Sequence, residues 1–169
     1  GIAMLSGCNN AAQKSNGQND QKPNIIYIFA ADLGIGDLSC YGATKVSTPN
    51  IDRLAGQGVQ FTNAYATSAT STPSRFGLLT GMYPWRQKNT GIAPGNSELI
   101  IDTACVTMAD MLKDAGYATG AVGKWHLGLG PKGGTDFNKQ ITPNAQSIGF
   151  DYEFIIPATV DRVPCVFGA

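Results

Sequence analysis

Residues 107–122 have the sequence TMADMLKDAGYATGAV, and this stretch gives the clearest indication of the fold. Thr107 is a residue type that caps helices and Gly116 is the type that ends them, so a helix is predicted over residues 107–115. The small residues of 118–122 follow directly and predict a strand. A helix that leads straight into a strand is typical of α/β folds.

The residues before this stretch show the same alternation. Residues 24–30, NIIYIFA, are an almost continuous apolar run, which predicts a strand buried on both faces of a parallel sheet. Residues 48–56 predict a short helix with Thr48 as its cap, proline at its first position and glycine at its end. Apolar residues within 59–65 predict a further strand. We therefore expect an α/β layered fold.

The residues after this stretch predict a less regular region. Residues 130–147 are rich in glycine, proline, asparagine and lysine, as surface loops are. Residues 149–156 predict one more strand. The chain stops within apolar sequence, so we expect residues 23–169 to be the N-terminal part of a longer domain.

The composition limits the possible partners. The 169 residues carry 12 basic and 12 acidic side chains, and they contain no run of lysine or arginine. Without a basic surface, neither nucleic acid nor an anionic membrane is an expected partner, and any bound anion must be held locally. The cysteines form no CxxC pair, which argues against a zinc cluster and leaves at most one disulfide open. They are Cys8, Cys40, Cys105 and Cys165.

The first residues predict export. Residues 1–8, GIAMLSGC, are a short apolar run that ends in small residues and Cys8, which resembles the end of a bacterial lipoprotein signal. The run is too short to span a bilayer, so a lipid on Cys8 would be the membrane anchor. Residues 9–22 are polar and small, and they predict a disordered linker. We expect an exported lipoprotein of the bacterial envelope, in the periplasm or at the outer membrane.

Residues 71–81, STPSRFGLLTG, carry the strongest functional pattern. Ser71 is a nucleophile-type residue directly before a predicted helix start, with Pro73 in the first turn. A helix N-terminus offers free N–H groups and a partial positive charge, which suit a tetrahedral anion. Arg75 lies about one helical turn after Ser71, so its guanidinium can fold back over the same anion or brace the nucleophile.

Residues 116–128, GYATGAVGKWHLG, contain a second group of functional residues. Lys124 and His126 are two positions apart, so on an extended segment both side chains point to the same side. A cation and an imidazole together can stabilise the transition state of an anionic ester. We therefore expect Lys124 and His126 to share one site.

The patterns at 71–81 and 116–128 resemble the two signatures of the sulfatase family, the first of which is Cys or Ser, any residue, Pro, Ser and Arg. The resemblance implies an alkaline-phosphatase-like α/β fold, with a central, mostly parallel sheet flanked by helices. It also implies arylsulfatase-like hydrolysis of sulfate esters, on a sulfated small molecule or glycan. A smaller C-terminal domain would lie beyond this chain.

The resemblance further implies roles for the site residues. Ser71 would be converted to formylglycine by a serine-type maturing enzyme, and one hydroxyl of its hydrated form would attack sulfur. The second hydroxyl would expel sulfate by restoring the aldehyde. Lys124 would hold a sulfate oxygen, and His126 would hydrogen-bond the diol.

The segment 30–37, AADLGIGD, is the expected metal position, because open α/β sheets bind ligands beyond the carboxyl ends of their strands. Sulfatases usually have two consecutive aspartates here, which bind a divalent cation, generally calcium, together with the formylglycine. This chain has Ala31 at the first position and only Asp32 at the second, while Asp37 is expected to be structural. Since a carboxylate supplies both a ligand and a charge, we expect weaker metal binding and impaired activity.

Two alternatives stay open from the sequence. A phosphate-ester hydrolase or phosphotransferase of the same fold would use Ser71 directly as its nucleophile. A degenerate sulfatase would bind sulfated glycans without cleaving them, as the loss of a carboxylate at Ala31 suggests. The family's remaining metal ligands would lie beyond this chain, so the chain alone is not expected to be catalytically competent.

Overall fold

The computed structural model describes residues 22–161 and 166–168. The predicted lipid site Cys8 lies outside these residues, as do Cys165 and the predicted linker apart from its last residue. Cys40 and Cys105 are free thiols, so they do not form the disulfide that the sequence left open. No helix within 22–161 is long and apolar enough to cross a membrane. The chain divides into two units, Gly1–Leu33 and Gly34–Ala169.

The described part of the first unit, residues 22–33, forms no helix or strand. The strand predicted over residues 24–30 is therefore wrong for this structure. Ile26 is 85% exposed and Ile28 is 82% exposed. A buried strand needs a paired neighbouring strand and apolar layers on both faces, and residues 24–30 are not paired with any strand in the described part of the chain.

The second unit contains the regular elements of the described chain. The strands β1 and β2 pair in parallel, with Gly120 opposite Tyr152 and Lys124 opposite Ile156. A parallel pair of strands that follows three α-helices in the described sequence confirms the predicted α/β class. In chain order the elements are α1 (Pro49–Gln57), α2 (Ser71–Thr80), α3 (Met108–Asp114), β1 (Gly120–Lys124) and β2 (Tyr152–Ile156), with 3-10 turns at Ile35–Asp37, Ser39–Tyr41, Pro84–Arg86 and Gln146–Ile148.

The predicted helix over 107–115 is confirmed as α3. Thr107 is its N-cap: the Thr107 hydroxyl accepts from the Asp110 N–H at 3.2 Å, and the Asp110 carboxylate accepts from the Thr107 N–H at 2.9 Å. This reciprocal pair is a capping box, which satisfies two N–H groups that would otherwise lack partners. The Thr107 hydroxyl also donates to the carbonyl of Ile148 at 2.7 Å and so ties α3 to the segment before β2.

The predictions for residues 48–65 are confirmed only in part. The helix α1 begins after Thr48 as predicted, but it continues through Gly56 and ends before Gly58. Residues 59–65 form no strand, and Val59 and Tyr65 in this segment are strongly exposed. Their apolar pattern is insufficient because a strand exists only where another strand pairs with it.

The C-terminal predictions agree better with the structure. Residues 130–147 are irregular apart from the start of the turn Gln146–Ile148, although Ala145 at their end is fully buried. The strand predicted from residue 149 is confirmed as β2, which begins at Tyr152. The strand predicted over 118–122 is confirmed as β1, which begins and ends two residues later than expected.

Asp151 joins α3 to the start of both strands. Its carboxylate accepts from the Lys113 ammonium at 2.6 Å and from the Thr119 N–H at 2.9 Å. The bond from Lys113 is the largest cause that lowers the pKa of Asp151 below its ordinary value. Both partners are partly exposed, so the bond fixes geometry more than it adds stability.

The hydrophobic core surrounds the segment that follows β1. The ring of Trp125 packs edge-on against Phe150, with centroids 6.1 Å apart, and its indole N–H donates to the Gly128 carbonyl at 2.8 Å. Residues on either side of His126 are therefore fixed by packing. The buried cluster consists of Phe76, Leu79, Ile101, Trp125, Leu127, Leu129, Ala145, Ile148 and Ile155.

We predict that Gly149→Ala destabilises the protein. Gly149 has a φ of +100°, and an added Cβ would lie 2.5 Å from the Asp110 nitrogen in the capping box. Strain and clash together should cost more than about 1 kcal/mol in the free energy of unfolding. Gly36→Ala is the control, because nothing lies within 4 Å of its added carbon. Urea unfolding of the whole protein, followed by tryptophan fluorescence, checks this; equal midpoints for the two variants would contradict it.

Candidate active site

Ser71 stands at the N-terminus of α2. Thr70 is the N-cap residue with extended backbone, so Ser71 is the first helical residue, and the predicted helix start is confirmed. Here backbone N–H groups have no partner within the helix, and the helix dipole is positive. The Ser74 hydroxyl donates to the Ser68 carbonyl at 2.5 Å and holds the chain where it enters the helix. The hydroxyl of Ser71 is half-buried at this end.

Arg75 lies one turn further along α2, and its guanidinium folds back towards the N-terminus of the helix. Its Nε donates to the Ser71 hydroxyl at 3.0 Å, and its Nη1 donates to the Lys124 carbonyl at 2.7 Å. Burial lowers the pKa of Arg75, but the ordinary value of an arginine is so high that the side chain stays a cation at neutral pH. Arg75 therefore places a positive charge beside Ser71 and joins α2 to the end of β1.

His126 completes the contact with Ser71. Its Nδ1 lies 3.0 Å from the Ser71 Oγ, and its Nε2 lies 3.0 Å from the Ala93 carbonyl oxygen. A carbonyl oxygen can only accept, so Nε2 carries a hydrogen. In the neutral ring Nδ1 is then the acceptor, and it can take the hydrogen of the Ser71 hydroxyl. The imidazole is 2% exposed, so water has little access to this contact.

The backbone at His126 differs from the extended segment expected from the sequence. The Trp125 and His126 N–H groups donate to the carbonyls of Ile156 and Pro157, each at 2.9 Å, which continues the pairing of β1 with β2. His126 itself has a φ of +55°, in the left-handed region. The alternation of side chains therefore ends at this residue, and the expected common direction of Lys124 and His126 does not follow from strand geometry.

Lys124 enters the cluster through its backbone. It is the last residue of β1, and its carbonyl accepts from Arg75. Its half-buried ammonium makes no ion pair or hydrogen bond with any residue that the structure describes. The structure thus brings Ser71, Arg75 and His126 into direct contact, whereas among the described residues the Lys124 side chain forms no hydrogen bond or ion pair with these three.

Two residues of the cluster were not identified from the sequence. Thr72 is fully buried; its hydroxyl donates to the His126 carbonyl at 2.8 Å and accepts from the Ala93 N–H at 3.1 Å. The position of Thr72 within the 71–81 pattern was the one available indication of its importance. Ala93 contributes only backbone atoms, so its residue type carries no information about this role.

The third sequence pattern contributes one exposed carboxylate and one structural one. Ala31 and Asp32 belong to the first unit, where Asp32 is exposed and has a φ of +64°. Asp37 belongs to the second unit, and its carboxylate accepts from the Gly34 N–H at 2.8 Å, which is a local capping contact. No group of three His, Cys, Asp or Glu side chains among residues 22–161 and 166–168 could hold a metal ion. The described residues therefore do not by themselves fit a divalent cation.

Comparison with known proteins gives a consistent result. A family model described as Sulfatase matches residues 23–161. An N-acetylgalactosamine-6-O-sulfatase of Bacteroides thetaiotaomicron is 91% identical over 167 residues, which cover 99% of this chain and 33% of that protein. The chain thus spans about a third of the length of this curated relative.

Solved structures show the same similarity. One structure comes from work on the metabolism of multiple glycosaminoglycans by Bacteroides thetaiotaomicron. It superposes with a TM-score of 0.86 at 93% identity, and the match covers 88% of this chain and 31% of that chain. Another, of Ps i-CgsB in complex with k-i-k-neocarrahexaose, superposes with a TM-score of 0.68 at 35% identity. It covers 82% of this chain and 29% of that chain.

We predict that Arg75→Met lowers the stability of the whole protein by roughly 1–3 kcal/mol, because the Lys124 carbonyl and the Ser71 hydroxyl each lose a charged donor. Methionine keeps much of the length and apolar volume of the side chain. Arg86→Met is the matched control, since Arg86 is exposed and lies in a short turn. Thermal unfolding midpoints measure both, and equal changes in the two variants would show that the bridge from Ser71 to Lys124 contributes nothing.

Proposed function

The chain belongs to the sulfatase family, and from this membership we propose that the whole protein hydrolyses sulfate esters. The observation that carries the proposal is the environment of the Ser71 oxygen. That oxygen lies at a helix N-terminus, 3.0 Å from the Arg75 Nε and 3.0 Å from the His126 Nδ1. A nucleophilic oxygen held between a fixed cation and a proton acceptor is suited to attack on an anionic ester.

We propose that Ser71 acts after conversion to formylglycine by a serine-type maturing enzyme. The hydrated aldehyde would supply one hydroxyl for attack on sulfur and a second for release of sulfate. His126 would accept the hydrogen of a hydroxyl on residue 71 through Nδ1, since Nε2 already donates to Ala93. Arg75 would hold that residue in place, and the Lys124 ammonium would bind a sulfate oxygen.

A divalent cation, calcium by resemblance to the family, belongs to this proposal. By the same resemblance, Asp32 would be one of its ligands. The side chain of Ala31 has no atom that can bind a metal, so this chain supplies one carboxylate fewer than the family pattern. The remaining ligands would come from the length that the relatives have beyond this chain.

We propose a sulfated glycan as the substrate. The 91% identical relative is named for N-acetylgalactosamine-6-O-sulfate, and one structural neighbour holds a neocarrahexaose. A 6-O-sulfated N-acetylgalactosamine unit is therefore the first substrate to test. A lipid anchor on Cys8 would place such an enzyme at the cell envelope, in reach of extracellular polysaccharides.

We predict that the mature whole protein, produced with a serine-type maturing enzyme, contains a Ser71 peptide that is lighter by about 2 Da, because oxidation of an alcohol to an aldehyde removes two hydrogens. Tandem mass spectrometry locates the change, and Ser74 in the same peptide is the internal control. Unmodified Ser71 together with phosphate-ester hydrolysis would favour the phosphatase alternative and contradict the sulfatase proposal.

We predict that Ala31→Asp raises the calcium affinity of the whole protein by about tenfold or more, because it restores both a ligand and a negative charge. Isothermal titration calorimetry measures the affinity, and turnover of 6-O-sulfated N-acetylgalactosamine should rise with it. Ala30→Asp is the control, since it adds the same charge one residue away. Equal calcium affinity in Ala31→Asp and the parent would contradict the proposed metal position.

Turnover by the parent protein, which carries Ala31, also distinguishes an enzyme from a sulfatase-like protein that binds sulfated glycans without cleaving them. Measurable turnover by the mature parent argues against a non-catalytic binder. Binding of the sulfated sugar without turnover, in the parent and in Ala31→Asp alike, would support one.

A further inference from the structure

We propose that Thr72 is a positioning residue, which holds His126 in register with the nucleophile through a closed ring of hydrogen bonds. The Thr72 hydroxyl donates to the His126 carbonyl at 2.8 Å, and the Ala93 N–H donates to the Thr72 hydroxyl at 3.1 Å. The ring closes where the His126 Nε2 donates to the Ala93 carbonyl at 3.0 Å. The proposal rests on the proposed function, since turnover is one of its readouts.

The position of Thr72 makes this ring specific to the reacting atoms. Thr72 is adjacent to Ser71 in the first turn of α2. The same helical turn therefore fixes both the nucleophile and the hydroxyl that bonds to the His126 carbonyl. Both hydroxyl bonds of Thr72 cross to distant parts of the chain, and neither stabilises α2 itself. The hydroxyl therefore connects three segments that the local sequence does not hold together.

The backbone of His126 explains why such a connection is needed. A φ of +55° is unfavourable for a histidine and persists only where surrounding contacts enforce it. The bond from Thr72 to the His126 carbonyl fixes the peptide that carries this conformation. The bond from Ala93 to Thr72 fixes the carbonyl that holds the imidazole ring. Without the hydroxyl, the Ala93 N–H and the His126 carbonyl both lose their bond to Thr72, and the restraint on the backbone and ring of His126 is weakened.

A small shift of the ring is sufficient to impair catalysis. The contact between Nδ1 and the Ser71 oxygen is 3.0 Å long, and a misplacement of about 1 Å can cost as much as a hundredfold in rate. Because binding of the sulfated sugar does not involve Thr72, the loss should fall on kcat and leave KM nearly unchanged.

The test compares Thr72→Val, Thr72→Ser and Thr90→Val in the mature whole protein. Thr90→Val is the matched control, because the Thr90 hydroxyl is also buried and donates to the Pro84 carbonyl at 2.8 Å, with no bond to His126. Thr72 lies within the sequence that a maturing enzyme would read, so kcat is expressed per converted Ser71, counted by mass spectrometry. We expect Thr72→Val to lower kcat by about tenfold or more with KM within about threefold. Thr72→Ser should restore most of kcat, and Thr90→Val should keep it within about twofold despite a similar loss of thermal stability.

A second measurement does not depend on turnover. In protein labelled with 15N-histidine, the Nε2–H of His126 should give a slowly exchanging signal, assigned by its absence in His126→Asn. We expect this signal in the parent, in Thr72→Ser and in Thr90→Val, and its loss in Thr72→Val. If the parent and Ala31→Asp are both inactive and the parent, Thr72→Ser, Thr90→Val and Thr72→Val still show this pattern, the proposed function is refuted and the positioning role is supported. Any of four results would overturn the role of Thr72. The first two are a parent-like kcat and a retained signal in Thr72→Val. The others are an equal loss of kcat in Thr90→Val and a Thr72→Ser variant whose kcat is not restored.

Discussion

The docking of the first turns of α2 against the segment after β1 is the constraint on which the site depends. The apolar side of this contact is formed by Phe76 and Leu79, which pack in the same core as Trp125 and Leu127. The polar side is formed by Arg75, whose guanidinium donates to the last carbonyl of β1. Ser71 and Arg75 are one turn apart and face the site, whereas Phe76 and Leu79 of the same short helix are part of the core. Burial of the apolar side therefore sets the distances on the polar side.

The sequence predicted the helices of this fold better than its strands, and the difference has a physical cause. The helix α3 has its start encoded within four residues, because Thr107 and Asp110 satisfy each other's N–H groups. The strands predicted at 24–30 and 59–65 have suitable residues, yet they are absent from the described structure. A strand depends on a partner that is distant in sequence, and β1 and β2 show this, since residues 121 and 153 pair across the whole intervening loop.

In the candidate site, too, contacts between residues close in sequence were predictable and contacts between distant residues were not. The contact between Ser71 and Arg75 was predictable, because helical spacing alone brings positions four apart together. The contact between Ser71 and His126 could be inferred only from a resemblance to known proteins, since 55 residues separate them in sequence. The role of Ala93 could not be predicted at all, because a backbone carbonyl exists at every position. Strand alternation also failed at His126, where the backbone turns into the left-handed region.

The burial of the first turn of α2 sets an order of events for the protein. Thr72, Pro73 and Ser74 are all buried in the folded unit, although they follow directly after the residue that is proposed to be modified. An enzyme that recognises these side chains can reach them only while the chain is extended and unfolded. If residue 71 is converted by such an enzyme, conversion and folding would compete, and a chain that folds first would not be converted while it stays folded. The fraction of active molecules in a preparation would therefore be fixed during synthesis, by the relative rates of these two processes.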